Sequence, residues 1–516
     1  MGLTVRALLA LLCLLTVACS SLPPQPPDAP RAAADVAARP GRLQQALAEV
    51  RRQQPDARLN GFQGLAESEG ALIARLALIE AADHALDLQY YIWRNDASGR
   101  LILHRLLQAA DRGVKVRVLL DDHGVDARDE FLLALAAHPN FEIRLFNPTA
   151  YRDLQLLGTA LEFQRVNRRM HNKALVADGQ VAILGGRNIG DEYFSARSHI
   201  QFGDMDVLVH GPVLAEVEQA FDRYWQDPAT YAIETLRGRL AGAVELDQLR
   251  QQLQQSLQAA EDSPFLQQLR ERMQRLAQPM ATDYAWGTAH LLVDDPAKIR
   301  RSVEDTRGHL LEQLRQLQSM TPGRELLIVS PYFVPGVQGS RALARLVESG
   351  VAVTVLTNSL AATDVAAVHA GYQSYRERLL AAGIRLYELK PTAPQAGQKR
   401  QSAFIGSSRA SLHAKILVVD RARVFIGSPN LDPRSIQLNT EVGLVCEAPA
   451  LAREVAQGLL SQLDQVAWQL ELVQGKLVWV DRNPAAPHTL HQEPETSWLK
   501  RTLIRLLGLL PIESQL

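Results

Sequence analysis

With 516 residues, 47% of them apolar and 22% charged, the chain has material for a large core, which excludes a disordered or low-complexity protein. Its 55 Lys and Arg against 56 Asp and Glu leave a net charge of −1. No overall field therefore draws it to nucleic acid, and any phosphate chemistry must come from a local cluster of cations. Three cysteines, Cys13, Cys19 and Cys446, are too few and too scattered for a disulfide framework or a thiolate metal site.

The first element is an export signal over residues 1–19. Arg6 precedes an apolar run from Ala7 to Val17, and Thr16-Val17-Ala18-Cys19 closes it with small residues. The run is short for a mature membrane-spanning helix. Cys19 resembles the first mature residue of a bacterial lipobox, where the thiol carries lipid, although Thr16 stands where leucine is usual. An ordinary cleaved signal, or an uncleaved anchor with Cys19 incidental, is the alternative. With Ser20 next, the lipobox resemblance implies a cell-envelope lipoprotein facing the periplasm, at the outer membrane or else the inner one. Residues 20–58 follow as a Pro/Ala-rich tether, led by Leu22-Pro23-Pro24-Gln25-Pro26-Pro27, with a globular body starting near Arg42.

Two α/β halves come next, over 59–230 and 291–470. In the first, Leu86 to Ile92 reads as a strand, Leu101 to Ala110 as a helix, and Val114 to Leu120 as a strand entered through Gly113. In the second, Leu326 to Val329 with Tyr332-Phe333, then Ala342 to Glu348, then Gly350 to Leu356 repeat that order. Strand, helix and strand imply right-handed parallel crossovers, hence two sheets each covered by helices. Between the halves, residues 231–290 form a helical insertion. Leu246, Leu249, Leu253 and Leu257 keep helical spacing, as do Leu266, Leu269, Met273 and Leu276, with Ser263-Pro264 as a helix start. In the tail over 471–516, Trp498 to Leu510 mixes Trp, cations and leucines, which suits either a lipid-interface helix or a terminal helix docked on the body.

The halves also share a motif. His171-Asn172-Lys173 with Asp178 precedes Gly185-Gly186-Arg187-Asn188, and His413-Ala414-Lys415 with Asp420 precedes Gly427-Ser428-Pro429-Asn430. One offset, 242 residues, separates His171 from His413, Gly185 from Gly427 and Asn188 from Asn430. A single match of this kind is weak, but two in one register mark a duplicated active-site half. Such a set fits phosphodiester chemistry. A neutral imidazole can attack phosphorus and form a covalent intermediate. A protonated one can serve the leaving oxygen and then deprotonate the acceptor. Lys173 and Lys415 can hold the phosphoryl oxygens as charge develops. This chemistry needs no metal and no cofactor.

The paired H-x-K-x4-D motifs resemble those of the phospholipase D superfamily, over roughly residues 60 to 470. The resemblance implies an α/β protein of two pseudo-symmetric phospholipase D-like halves, each a helix-covered mixed sheet, meeting at one active site. It implies further that Asn188 and Asn430 line the phosphate pocket, and that His171 is the nucleophile. Asp204, with Asp206 as its rival, and Glu441 are the carboxylates expected to orient the histidines. Asp178 and Asp420 are counted with the catalytic set as motif members, although their expected work is to fix loop architecture. Asn167 to Lys173, Gly185 to Phe194, His369-Ala370-Gly371-Tyr372 and Leu386 to Leu389 look more narrowly like bacterial cardiolipin synthases of the C type.

That narrower resemblance implies transfer of a phosphatidyl group onto the headgroup alcohol of a second phospholipid. The partners would be phosphatidylglycerol and phosphatidylethanolamine. Alternatives are a hydrolytic phospholipase D, an exported nuclease, which the near-zero charge disfavours, and a surface lipoprotein with a dead fold, which two retained His-Lys pairs disfavour. The acceptor alcohol, which of the two histidines attacks, any accessory protein and the oligomeric state stay open at this level.

Overall fold

The computed structural model describes residues 22–23, 40–126, 129–152, 155–194, 201–236, 245–259, 263–275, 283–391, 410–484 and 487–508. Cys19 and the export signal lie outside them, as do Leu276, Leu509 and Leu510.

The first half begins with helix α1 (Arg42–Gln53), followed by β1 (Asn60–Leu65), α2 (Ser68–Ala81), β2 (Ala85–Tyr90), α3 (Ala97–Asp111), β3 (Lys115–Asp121), α4 (Asp129–Ala136) and β4 (Phe141–Phe146). It continues through β5 (Ala174–Ala177), β6 (Val181–Gly185), β7 (Gln201–Gly203), β8 (Asp206–His210), α5 (Leu214–Trp225) and β9 (Thr230–Ala232). Strands β2, β3 and β4 are parallel, while β5, β6, β8 and β1 run on antiparallel from β2. Strands β2 and β3 are buried on both faces apart from Lys115, whereas β4 leaves Glu142 exposed and Arg144 half-buried. Val116, Val118 and Leu120 pack on the outer face with Leu86, Leu88 and Tyr90, whereas Leu119 points into a core shared with the second half. Helix α3 starts four residues ahead of its apolar stripe because the Asp96 carboxylate accepts the Gly99 N–H at 3.0 Å and caps it.

Helices α6 (Leu246–Ala259) and α7 (Pro264–Arg275) make the insertion, and Ser263 Oγ accepts from the Leu266 N–H at 3.3 Å at the start of the second. Leu249, Leu253, Leu266 and Leu269 are buried in the first half's outer core, so the insertion is part of that half's helical cover. The second half repeats the plan with β10 (Ala285–Val293), β11 (Glu325–Val329), α8 (Gly336–Glu348), β12 (Ala352–Asn358), α9 (Ala366–Gln373), α10 (Arg376–Ala381), β13 (Arg385–Leu389), β14 (Ala410–Leu412), β15 (Ile416–Val419), β16 (Arg423–Gly427), β17 (Val442–Glu447) and α11 (Pro449–Leu460). Gly113 (φ 97°) and Gly350 (φ 93°) take the same left-handed turn from helix into strand in the two halves.

The two sheets are one. Strand β1 pairs antiparallel with β8 on one side and with β10 on the other, through Asn60–Gly287, Gly61–Trp286 and Phe62–Ala285. Strand β10 then pairs with β17. The pseudo-two-fold axis passes between β1 and β10. The shared core takes Val217, Phe221 and Tyr224 from α5 and their counterparts Leu451, Val455 and Leu459 from α11. Buried Cys446 of β17 packs there as a small hydrophobe.

Three boundaries differ from the sequence reading. The tether expected over 20–58 contains α1, whose Leu43, Leu47 and Val50 are buried and whose first residue, Arg42, bonds Asp83. The second half's sheet begins inside the expected insertion, with β10. It also runs past 470 into the expected tail, through β18 (Ala467–Val473), β19 (Lys476–Asp481) and β20 (His488–Leu490). Tyr332 and Phe333 lie beyond β11, and Phe333 makes only a bridge to Leu431. The tail ends in α12 (Trp498–Leu507), capped by Ser497. One side of α12 docks through Ile504 onto Leu360 and Ala370. The other leaves Trp498, Leu499, Leu503 and Leu506 between 54% and 70% exposed. Among the described residues no helix is long and apolar enough to cross a membrane.

At Gly287, which pairs with Asn60 across the β1–β10 seam, β10 admits no side chain, because a Cβ would lie 2.2 Å from the Glu447 carbonyl oxygen of β17 on its other side. Gly287→Val is expected to destabilise the protein by roughly 1–3 kcal/mol, as overpacking does, or by more if the strands part. A thermal melt of the purified variant checks this, and an unchanged midpoint would contradict the seam geometry.

Candidate active site

Each histidine sits on the short extended stretch that leads into β5 or β15, and each stretch is held by the opposite half. The His171 N–H donates to the Thr440 carbonyl and the Thr440 N–H to the Arg169 carbonyl, both at 2.8 Å. On the other side, β14 pairs with β7, and the His413 and Ala414 N–H groups donate to the Gly203 carbonyl at 2.8 and 3.0 Å. Residues 203–204 and 440–441 are therefore clamped beside the histidine of the other half.

The carboxylates cross accordingly. His171 Nδ1 lies 2.9 Å from Glu441 Oε2, and His413 Nδ1 lies 2.5 Å from Asp204 Oδ2. Both carboxylates are essentially unexposed. Asp206, the rival of Asp204, is turned away; it pairs with Arg75 at 2.9 Å and Arg187 at 3.3 Å inside the first half. With Nδ1 of each imidazole against a carboxylate, Nε2 is the ring nitrogen that can act on phosphorus or carry a proton.

One difference between the halves accommodates the different carboxylates. A Cβ at Gly186 would meet Asp204 Oδ1 at 2.2 Å, so only glycine fits there. The corresponding Ser428 instead donates its hydroxyl to Glu441 Oε2 at 2.5 Å and accepts the Val442 N–H. Asp294 supports Glu441 from behind by accepting its N–H at 2.9 Å, and is itself paired with Lys298.

The electrostatics are those of a buried cationic cluster. Burial pushes the His171 imidazole well below its ordinary value, and the nearby Lys173, Lys415 and His413 charges push it further. Burial and Lys415 also lower His413, but there the Asp204 carboxylate opposes them. Burial alone would raise Asp204; His413, Lys415 and Arg187 hold it below the usual carboxylate range. Glu441 moves the other way, raised by burial against the pull of Lys173. Burial pushes Lys173 well down and brings Lys415 to about 8. Lys173 Nζ donates to the His171 carbonyl at 2.5 Å and Lys415 Nζ to that of His413. Two imidazoles and two ammonium groups thus share one pocket, where an anion would relieve their mutual repulsion.

Other expected site residues are placed differently. Asn188 is near, but its side chain is tied to the frame: Oδ1 accepts the Ile92 N–H at 3.1 Å and Nδ2 donates to Tyr193 Oη at 2.9 Å. Asn430 lines a small cavity with Lys415 and Glu441, and its buried Oδ1 has no hydrogen-bond partner. Asp178 and Asp420 lie away from the histidines, in the loop-fixing positions expected of them. Asp178 accepts the N–H groups of Asp83, His84 and Ala85 at 2.8–2.9 Å, and Asp420 those of Gly323, Arg324 and Glu325 at 2.8–2.9 Å. Each sits beyond the far end of β5 or β15, seven residues and about 20 Å of strand from its histidine, and anchors the start of β2 or β11.

The sequence reading missed several residues. Tyr91 meets the His171 ring edge-on at 5.0 Å and Tyr193 meets His413 at 5.3 Å, so each imidazole has an aromatic wall. Asp121 at the end of β3 accepts the Met170 N–H at 2.8 Å; Asn358 at the end of β12 accepts the Leu412 N–H at 2.9 Å. These two polar residues closing matched apolar strands were the available signal for a pair that positions both histidine loops. Among the described residues no group of three His, Cys, Asp or Glu side chains could hold a metal ion.

Comparison with known proteins agrees with this geometry. A family model described as cardiolipin synthase, PLD-like domain, matches residues 76–225 and 314–463, one match per half. The chain is 43% identical over 465 residues to cardiolipin synthase C of Escherichia coli (strain K12), covering 88% of this chain and 95% of that one. It is 30% identical over 404 residues to cardiolipin synthase A of Pseudomonas entomophila (strain L48), covering 78% and 68%. The fold is shared with a crystal structure of phosphatidylserine synthase from Haemophilus influenzae Rd KW20, at a TM-score of 0.56 and 14% identity, covering 91% of this chain and 100% of that one. Matched twice by the family model and along nearly its whole length by a relative, the chain belongs to the cardiolipin synthase family of phospholipase D-like proteins.

Proposed function

We propose that this chain is a membrane-associated phosphatidyltransferase that makes cardiolipin through a phosphohistidine intermediate. The observation that carries the reading is the crossed pair of histidine–carboxylate contacts, which gives one pocket two imidazoles in unlike environments. His171, the more strongly depressed, is neutral and serves as nucleophile. Its Nε2 attacks phosphorus, forming a P–N bond as the bond from phosphorus to the headgroup oxygen breaks. His413 is the less depressed of the two because the Asp204 carboxylate, 2.5 Å from its Nδ1, opposes burial and Lys415, and we assign to it the proton given to the departing alcohol. In the second step His413 removes the proton of the acceptor hydroxyl. That oxygen then attacks phosphorus, and the P–N bond breaks to free His171. Lys173 and Lys415 stabilise the charge on the phosphoryl oxygens. The donor is phosphatidylglycerol or phosphatidylethanolamine and the acceptor is the headgroup alcohol of a second phospholipid. The names of the relatives support cardiolipin as the product.

Incubation of the full chain with labelled phosphatidylglycerol, with and without phosphatidylethanolamine, is expected to yield labelled cardiolipin. Phosphatidate as the sole product would make the enzyme a hydrolase. His171→Ala and His413→Ala are each expected to abolish turnover while the fold is kept. Acid-labile label should map to His171, and label on His413 alone would reverse the roles. Lys173→Ala and Lys415→Ala are each expected to cost about 3 kcal/mol of transition-state stabilisation, as lost preorganised charge typically does.

The ammonium of Lys415, brought to about 8, gives the pocket a pH signature. Raising the pH through 8 removes that charge, so sulfate, a dianion throughout, should bind progressively worse, by up to about tenfold per pH unit. Calorimetric titration of wild type between pH 7 and 9 reads this. Lys415→Arg, always charged, should flatten the dependence, and an equal loss in both proteins would remove Lys415 as its cause.

Membrane attachment, in this reading, rests on a lipidated Cys19 at the periplasmic face of the envelope, with the exposed apolar side of α12 as a second contact. Several acyl chains bind firmly where one interfacial helix binds weakly. Expressed with its signal, the chain should incorporate labelled palmitate and Cys19→Ala should not. Trp498→Asp with Leu503→Asp should reduce binding of the remaining soluble protein to anionic vesicles. A wild type without palmitate that fractionates away from membranes would defeat the anchor and leave the pocket chemistry intact.

A further inference from the structure

An apolar cavity of about 170 Å³ lies on the outer face of the first half's sheet, beneath α3, α4 and the inserted helix α6, and the phosphoryl chemistry makes no use of it. Phe141 and Ile143 of β4 and Val118 of β3 form its floor, and Leu253 of α6 lies in its roof; all four are buried. Close-packed interiors keep few voids larger than a water molecule, and a void costs stability. Apolar cavities of similar size stay dry and take up apolar ligands.

Its position relates it to the active site. The cavity runs along the strands. Phe141 lies opposite Val116, and Leu120 is four residues further along β3, so the floor is about 13 Å long, enough for roughly ten methylenes. The Phe141 end is closed by buried side chains. The other end, at Trp93, Asn95 and Arg100, lies past the C-terminal end of β2, where Asn95 is exposed and Arg100 half-buried. That is the edge from which Tyr91, two residues before Trp93, meets the His171 ring, and Trp93 bridges to Ile189 beside Asn188. The mouth therefore carries polar and cationic groups at the sheet edge that also presents Tyr91 to His171, while the interior is hydrocarbon.

We propose that this cavity receives the end of one acyl chain of the phospholipid whose phosphate sits between His171 and His413. The proposal rests on the phosphatidyl substrate argued above and deepens it. It assigns α6 a part in substrate recognition as the roof of a chain-binding slot. A chain drawn out of the bilayer would lose no hydrophobic burial on entering, which makes lifting a lipid toward a buried phosphoryl site feasible.

Phosphatidylglycerol with a diazirine at the far end of one acyl chain, presented in vesicles to the full wild-type chain, is expected to crosslink to peptides containing Phe141 or Leu253. Leu253→Trp, which fills the slot, should raise KM for dioleoyl donors at least tenfold and leave turnover of dihexanoyl donors unchanged. Crosslinks confined to other peptides, or a folded Leu253→Trp protein with wild-type KM for dioleoyl donors, would overturn the proposal. If Leu253→Trp does not fold, Leu249→Phe replaces it, and the wild-type crosslink map decides independently of either. A wild type that transfers neither donor yet crosslinks at Phe141 or Leu253 would count against the transferase reading alone.

Discussion

Asp204 and Glu441 are buried carboxylates, and what sits opposite them governs how the molecule is put together. A carboxylate taken out of water costs several kcal/mol unless a cation or hydrogen-bond donor meets it. Neither finds its imidazole within its own half; Asp204 meets His413 and Glu441 meets His171. Folding one half alone would leave a buried acid without its imidazole and a histidine without its orienting group. The backbone bonds of His171 to Thr440 and of His413 to Gly203 fix the same crossing in the main chain. Assembly of the site and joining of the halves are one event, and the β1–β10 seam and the core shared by α5 and α11 align the two halves for it.

The same crossing generates inequivalence. A shorter acid with glycine beside it faces His413, and a longer acid with a serine hydroxyl faces His171. Asp121, charged and beside Arg169, holds the His171 loop, whereas a neutral amide, Asn358, holds the other. Two coupled imidazoles in symmetric surroundings would share a single proton with neither favoured, so the unlike surroundings bias which of the two holds it.

Much of this was legible in the sequence, because duplication at a fixed offset is a signal that needs no structure. The histidines, the lysines and the β-α-β order came from it directly. The partnering of carboxylates was not legible. Spacing along a chain states which residues exist in each half, but which half they face depends on how two sheets dock. Asp178 and Asp420 share a motif with the histidines because strand length fixes the spacing, yet that same length carries them to the opposite end of the strand. Helix α1 was hidden because it follows a proline-rich stretch and because its three buried residues, Leu43, Leu47 and Val50, are a thin stripe. Tyr91 and Tyr193 carry no motif, since an aromatic wall can be supplied from any nearby loop.

The single-chain duplication has a consequence for how such a site can change. In a homodimer built from one such half, every residue would appear at both half-sites, and a substitution tuning one imidazole would detune the other. Here Gly186 and Ser428, Asp204 and Glu441, and Asp121 and Asn358 are encoded separately. Each half-site can therefore drift toward its own protonation state, and only one of them needs to carry the insertion between β9 and β10. Covalent linkage lets the two halves specialise.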